Sequence, residues 1–142
     1  MKKHGFTLIE VLVVIVVLAI ISSAGVGAYS AFRSRNALAV TEELIISHAR
    51  EAQLRAYAQL RNSNWGIHVS STAVTIFAGS SFASRDTQQD IQTVFPGNVV
   101  VSTTDIVFFL QTGRTVGTTT IPISYEDLHT TISVSSLGVF YR

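Results

Sequence analysis

The sequence predicts an α+β fold: one long N-terminal helix, membrane-spanning in its first half and amphipathic in its second, packed on a mostly antiparallel β-sheet head. Three observations lead there. Residues 11–21 are an unbroken apolar run with a single carboxylate, Glu10, at its head. Residues 28–60 hold neither proline nor glycine and are dominated by Ala, Leu, Glu, Gln and Arg, the residues that lose least on entering a helix. From Trp65 onward Thr, Ser, Val, Ile and Phe take over, and the apolar period falls toward two.

The first element is residues 6–28, where Thr7, Glu10, Ser22 and Ser23 supply the polar side chains. At about 1.5 Å per residue this stretch covers a hydrocarbon core of ~30 Å. Lys2 and Lys3 lie closer to it than Arg33 and Arg35 do, which favours a cytoplasmic N-terminus. The rival reading is a secreted protein with an ordinary signal peptide, cut near Val26-Gly27-Ala28. Glu10 argues against it, because an acidic side chain at the membrane centre costs roughly 2.5–3.5 kcal/mol and a disposable segment has no use for one. The uninterrupted helical pattern beyond residue 28 also leaves no loop for a signal peptidase.

The second half of the helix, residues 29–61, is amphipathic. Leu38, Ile45, Ala49, Ala52, Ala56 and Leu60 recur at spacings of three, four and seven and mark one apolar face. Arg33, Arg35, Glu42, Glu43, Arg50, Glu51, Arg55 and Arg61 are mostly displaced from it, and Glu51 with Arg55 makes a favourable i to i+4 pair. One helix from Phe6 to about Leu60 would be roughly 80 Å long, a length that makes sense with one end in a membrane or a filament core. Residues 61–64 end it, and residues 62–142 form the β-rich head. Strands are expected over 65–69, 73–78, 98–102, 106–110, 118–124, 130–135 and 139–141, with 79–90 a loop and turns at 95–97, 103–105, 112–114 and 136–138. So thin a sheet region needs the amphipathic half-helix for part of its core.

Lys2-Lys3-His4-Gly5 followed by Phe6-Thr7-Leu8-Ile9-Glu10-Val11 resembles the N-terminal motif of type IV prepilins and type II secretion pseudopilins. The resemblance implies a leader of residues 1–5, cleavage between Gly5 and Phe6 by prepilin peptidase, N-methylation of Phe6 and an assembly role for Glu10. Implied partners are other pilin or pseudopilin subunits, met through the N-terminal helix, prepilin peptidase, the inner-membrane assembly platform and, before assembly, lipid. The implied location is a single pass through the bacterial inner membrane with the head outside, then a pilus or pseudopilus. Physically, cleavage leaves a cationic amine on Phe6, one helical turn from Glu10, so a carboxylate in an apolar setting gains an opposite charge within its own chain or on a neighbour. Ala49-Arg50-Glu51-Ala52, Arg61-Asn62 and Trp65-Gly66-Ile67 are further similar to the helix-to-sheet junction of the GspH/FimT branch of minor pseudopilins. Two departures stand out. Gly25 and Gly27 take the place of the proline many pilins carry in this helix. Gly138 is followed by Val139, Phe140 and Tyr141 before Arg142, unlike the basic tail of the branch's DNA-binding members.

The composition fits an exported structural subunit. Of 142 residues 13% are charged against a typical ~25%. Removing Lys2 and Lys3 from the ten basic residues leaves eight against nine acidic, so nothing predicts an electrostatic grip on nucleic acid. A DNA-binding minor pilin for natural transformation stays as the alternative, with Arg114 and Arg142 the residues for a weak contact. Cysteine is absent, which excludes disulfides and thiolate metal sites. His48, His68 and His129 lack the spacing of a helical zinc motif, adjacent Glu126 and Asp127 make no acid/base couple, and no serine lies in a nucleophile elbow. No catalytic residue, cofactor or metal is expected, and Trp65, Phe77, Phe95, Phe108, Phe109 and Tyr141 are read as core packing.

Overall fold

A computed structural model describes residues 7–97 and 99–141, and within them the side chains of all but residues 23–26 and 28. The fold is α+β, a long N-terminal helix packed on antiparallel sheet. Helix α1 is Leu8–Tyr57. It is followed by a short 3₁₀ turn, Leu60–Asn62, and eight strands: β1 Trp65–Val69, β2 Ala73–Ala78, β3 Asp86–Val94, β4 Val100–Val101, β5 Thr104–Phe108, β6 Thr119–Tyr125, β7 Leu128–Val134 and β8 Phe140–Tyr141. The backbone stays helical through Gly25 and Gly27. The described residues fall into two compact units that divide between Ser34 and Arg35.

In the second unit the strands form two four-stranded sheets, ordered β3-β2-β1-β5 and β4-β6-β7-β8, with every pairing antiparallel. Helix residues Ala37, Leu38, Ile45, Ile46, Ala49, Ala52 and Ala56 are buried in one core with Ile67 and Val69 of β1, Val74 and Ile76 of β2, Ile106 and Phe108 of β5, and Ile121, Ile123, Ile132 and Val134 of the other sheet. The alanines at 49, 52 and 56 are fully buried. Each large aliphatic side chain removed from water here contributes about 1.5–3 kcal/mol.

Leu60, expected on this face, is instead about half exposed. The helix stops three residues earlier, because Gln59, Arg61 and Asn62 adopt left-handed backbone angles (φ 54°, 59° and 52°) that turn the chain aside. The stop is stabilised from outside the helix. The Gln111 amide donates to Ala56 O at 3.1 Å, Leu110 N–H to Asn64 Oδ1 at 2.8 Å, and the Trp65 indole N–H to Leu60 O at 3.0 Å. The first of these bonds gives a partner to a carbonyl of the last helical turn, and the other two fix the chain that leaves it.

The segment 79–90, expected as a loop, is loop only to Arg85. Strand β3 begins at Asp86 and pairs along β2 from Ala73↔Val94 to Ile76↔Ile91, then with an irregularity to Ala78↔Asp86. As an edge strand it buries no full face, so Asp-Thr-Gln-Gln-Asp-Ile-Gln-Thr-Val carries no apolar alternation to read. Strand β5 lies two residues earlier than expected, at Thr104–Phe108, and β4 shrinks to two residues. Phe109 and Tyr141, expected in the core, are exposed, whereas Trp65, Phe77, Phe95 and Phe108 are buried.

Candidate functional site

The first unit exposes an apolar surface. Leu8, Ile9, Val11 to Val14, Ile15 to Leu18, Ile20 and Ile21 are all exposed, as are Tyr29 and Phe32 further along. Over this stretch the helix has no continuous polar face. Side chains of this stretch are described from Thr7 to Ser22, and among the described residues no helix is long and apolar enough to cross a membrane.

At the head of the run, Glu10 and Thr7 hold one another. The Glu10 amide donates to Thr7 Oγ1, while the Thr7 amide and hydroxyl both donate to Glu10 Oε2, each at 3.4 Å. This is a capping box: the threonine side chain serves an open N–H of the first turn, and the carboxylate reaches back to the capping residue. The acidic group also lies at the positive end of the helix dipole. Its signature, Thr-x-x-Glu before an apolar run, stands in the sequence, although the reading of Glu10 as a pairing group passed over Thr7 as its holder. The carboxylate is thereby aimed at the peptide N–H one residue after Phe6. Gly5 and Phe6 lie outside the described residues, so the expected cleavage and methylation site is not seen directly.

A family model, the prokaryotic N-terminal methylation motif, matches residues 1–26. The methylation motif thus covers Gly5, Phe6, Thr7 and Glu10 together with the apolar run, and supports a type IV pilin-like protein processed by prepilin peptidase. Subunits of the same kind and the peptidase are the partners that the methylation motif implies. No curated protein and no solved structure matches the chain.

In the second unit three groups of polar and charged side chains are held by contacts to their neighbours. Arg55 pairs with Glu51 at 2.5 Å, as expected, and its guanidinium lies 4.9 Å above the Trp65 ring. His48 bridges helix and sheet, with Nδ1 2.8 Å from Leu44 O and Nε2 2.9 Å from Thr93 Oγ1. The third group lies on the face of β1 and β2 away from the helix. Phe77 is fully buried there, over Gly66, and is covered by Phe82 of the 79–85 loop, edge to face at 5.5 Å. The His68 ring stacks on Phe82 at 3.7 Å and is bonded to Asp105, while Arg85 lies 3.7 Å over Phe82 and is tied to Asp90 at 2.8 Å. Sequence reasoning missed this cluster because it needs the loop to fold back onto the sheet, which no local pattern announces.

Gln53 is the other residue whose role no periodicity reveals. Its side-chain amide donates to Gly113 O at 2.9 Å and Gly138 O at 3.4 Å, joining the helix to a loop from each sheet. Both glycines have positive φ, and a Cβ on Gly138 would overlap the Gln53 amide. Arg114, next in the first of these loops, is exposed, and Arg142 lies outside the described residues. His129 is exposed, and Glu126 and Asp127 form the exposed turn between β6 and β7. Among the described residues no cluster of His, Asp and Glu could hold a metal ion.

Proposed function

We propose that this chain is a minor pilin or pseudopilin: a structural or priming subunit that is matured by prepilin peptidase and then moved from the inner membrane into a type IV pilus or type II secretion pseudopilus. Residues 6–28 serve first as its membrane span. The reading is carried by one observation, a carboxylate held at the N-terminus of a helix that is apolar and exposed on every side. Cleavage after Gly5 exposes an ammonium on Phe6 one turn from Glu10. The capping box keeps the carboxylate hydrogen-bonded while the helix lies in lipid; on assembly the same oxygens take the Phe6 amine of an adjoining subunit. Transfer from lipid to a bundle of like helices leaves apolar burial roughly unchanged, so packing and this ion pair decide register. The chain performs no catalysis of its own in this scheme.

The GspH/FimT branch is part of the proposal, supported by the junction residues Ala49 to Ala52, Arg61-Asn62 and Trp65-Gly66-Ile67. The reading is tested by mass spectrometry of the native chain. The sequence holds no lysine after Lys3, so a chain cut after Gly5 keeps one primary or methylated amine, at its N-terminus. The expected product begins with N-methyl-Phe6 and takes at most one amine-reactive label. A start near Tyr29 would instead mark an ordinary signal peptide and overturn the reading.

A further inference from the structure

Helix α1 ends where its own residues would carry it on. Residues 58–61, Ala-Gln-Leu-Arg, are among the best helix formers, and neither glycine nor proline follows before Gly66. The helix nevertheless stops at Tyr57. Among the described residues five other than glycine have left-handed backbone, and four of these gather at this stop: Gln59, Arg61 and Asn62, with Gln111 of the loop after β5 at φ 67°. Asparagine tolerates that conformation, whereas the Cβ of a glutamine or an arginine is crowded against the following carbonyl. Glycine is the usual residue for such a cap. The strained turn is held from outside. The Ala56 carbonyl, which a continuing helix would give to the Leu60 amide, accepts from Gln111 N–H at 3.1 Å and from Gln59 N–H at 3.2 Å, and the Leu60 carbonyl accepts from the Trp65 indole at 3.0 Å. Gln111 and Leu60 thus compete for one acceptor.

We propose that residues 58–61 form a two-state junction, which passes between the strained turn of this structure and one further turn of α1, and that the advance of the helix frees Gln111 and its loop. The exchange conserves bonding at the Ala56 carbonyl, since the Leu60 amide takes the place of the Gln111 amide. It relieves Gln59, Arg61 and Gln111 of left-handed backbone, and it gives up the indole bond to the Leu60 carbonyl. Leu60, four residues beyond Ala56, returns to the line of the buried helix face. Local preference and tertiary contacts pull opposite ways here, which is the condition for two arrangements of similar free energy. The freed loop stays tethered, because Gln53 still holds the Gly113 carbonyl at 2.9 Å. A displacement of the loop between β5 and β6 is thereby carried to the end of the long helix, and the reverse holds equally. The proposal concerns the head alone and does not rest on the reading of the chain as a pilus subunit.

The test is saturation-transfer NMR on the full chain in detergent micelles, read at the Cα carbons of residues 58–61, the Gln111 amide and the Trp65 indole N–H. The proposal expects a second state of about 1–10 per cent, with helical Cα shifts at 58–61 and one exchange rate shared by Gln111 and Trp65. Gln59→Gly and Arg61→Gly relax the turn and weaken the competing helix, so each lowers that population about fivefold. Trp65→Phe removes the indole donor and raises it about fivefold. Should Trp65→Phe fail to fold, the glycine variants decide the matter, since glycine is at ease in left-handed backbone. A single state at the junction, a second state with random-coil shifts at 58–61, or a population unmoved by either glycine overturns the proposal. The start of the mature chain plays no part in these outcomes, so the functional reading stands or falls separately.

Discussion

Gly66 offers the sharpest test of the head's construction. It sits in β1 between Phe77 of β2 and Val107 of β5, and a Cβ built there would lie 2.6 Å from Ile106 O and 2.7 Å from Phe77 Cζ. The first obstacle is backbone in a paired strand. The second is the tip of a fully buried ring, itself held under Phe82. Neither yields without disturbing the β1–β5 ladder or the aromatic cluster, so Gly66→Ala is expected to cost about 1–3 kcal/mol from overpacking, less a few tenths recovered from the stiffer unfolded chain. For a head of this size that is a fall in Tm of roughly 4–20 °C. Trp65, the chain's one tryptophan and buried, reports unfolding by its fluorescence. Gly117→Ala is the matched control, since its Cβ meets nothing within 4 Å and its φ is not left-handed; its effect should stay within about 0.5 kcal/mol. Equal melting of the two variants would refute the close approach at Gly66.

Two further outcomes follow from single residues. Gln53→Ala removes two hydrogen bonds that hold loops of both sheets to the helix, and a loss of about 1–2 kcal/mol is expected by the same fluorescence melt, with faster amide exchange around Gly113 and Gly138. Thr7→Ala removes the N-cap, worth about 0.5–2 kcal/mol of helix end, and amide exchange of the first turn in detergent should quicken while the head's melting stays unchanged.

Much of this architecture is legible in the amino acids, for reasons particular residues make plain. Strands β1 and β2 fall where expected because Trp65 to Val69 and Ala73 to Ala78 bury nearly every residue, and a dense apolar run between turn residues has few other places to go. The buried helix face is readable from Leu38 to Ala56 because its spacing repeats; at Leu60 the spacing persists but left-handed backbone beyond Tyr57 removes the residue from the face. Strand β3 is hidden because an edge strand satisfies its pairing through the backbone and leaves Gln88, Gln92 and Thr87 in water. At the candidate site Glu10 announces itself, since a carboxylate heading an apolar run demands a partner. Its holder Thr7 was equally visible as the first letter of a capping box. The contacts of His68 with Phe82 and Asp105 and the Gln53 clamp on Gly113 and Gly138 join residues 14 to 85 positions apart, and only the folded loops bring them together.

The central claim is that Glu10 joins subunits through the amine of Phe6, and incorporation of Glu10→Ala into filaments or tip complexes tests it most directly, with mass spectrometry on the same material. The account predicts a variant that is still cut before Phe6 and still resides in the membrane but is lost from assembled complexes. Normal incorporation of the correctly processed Glu10→Ala chain would contradict it.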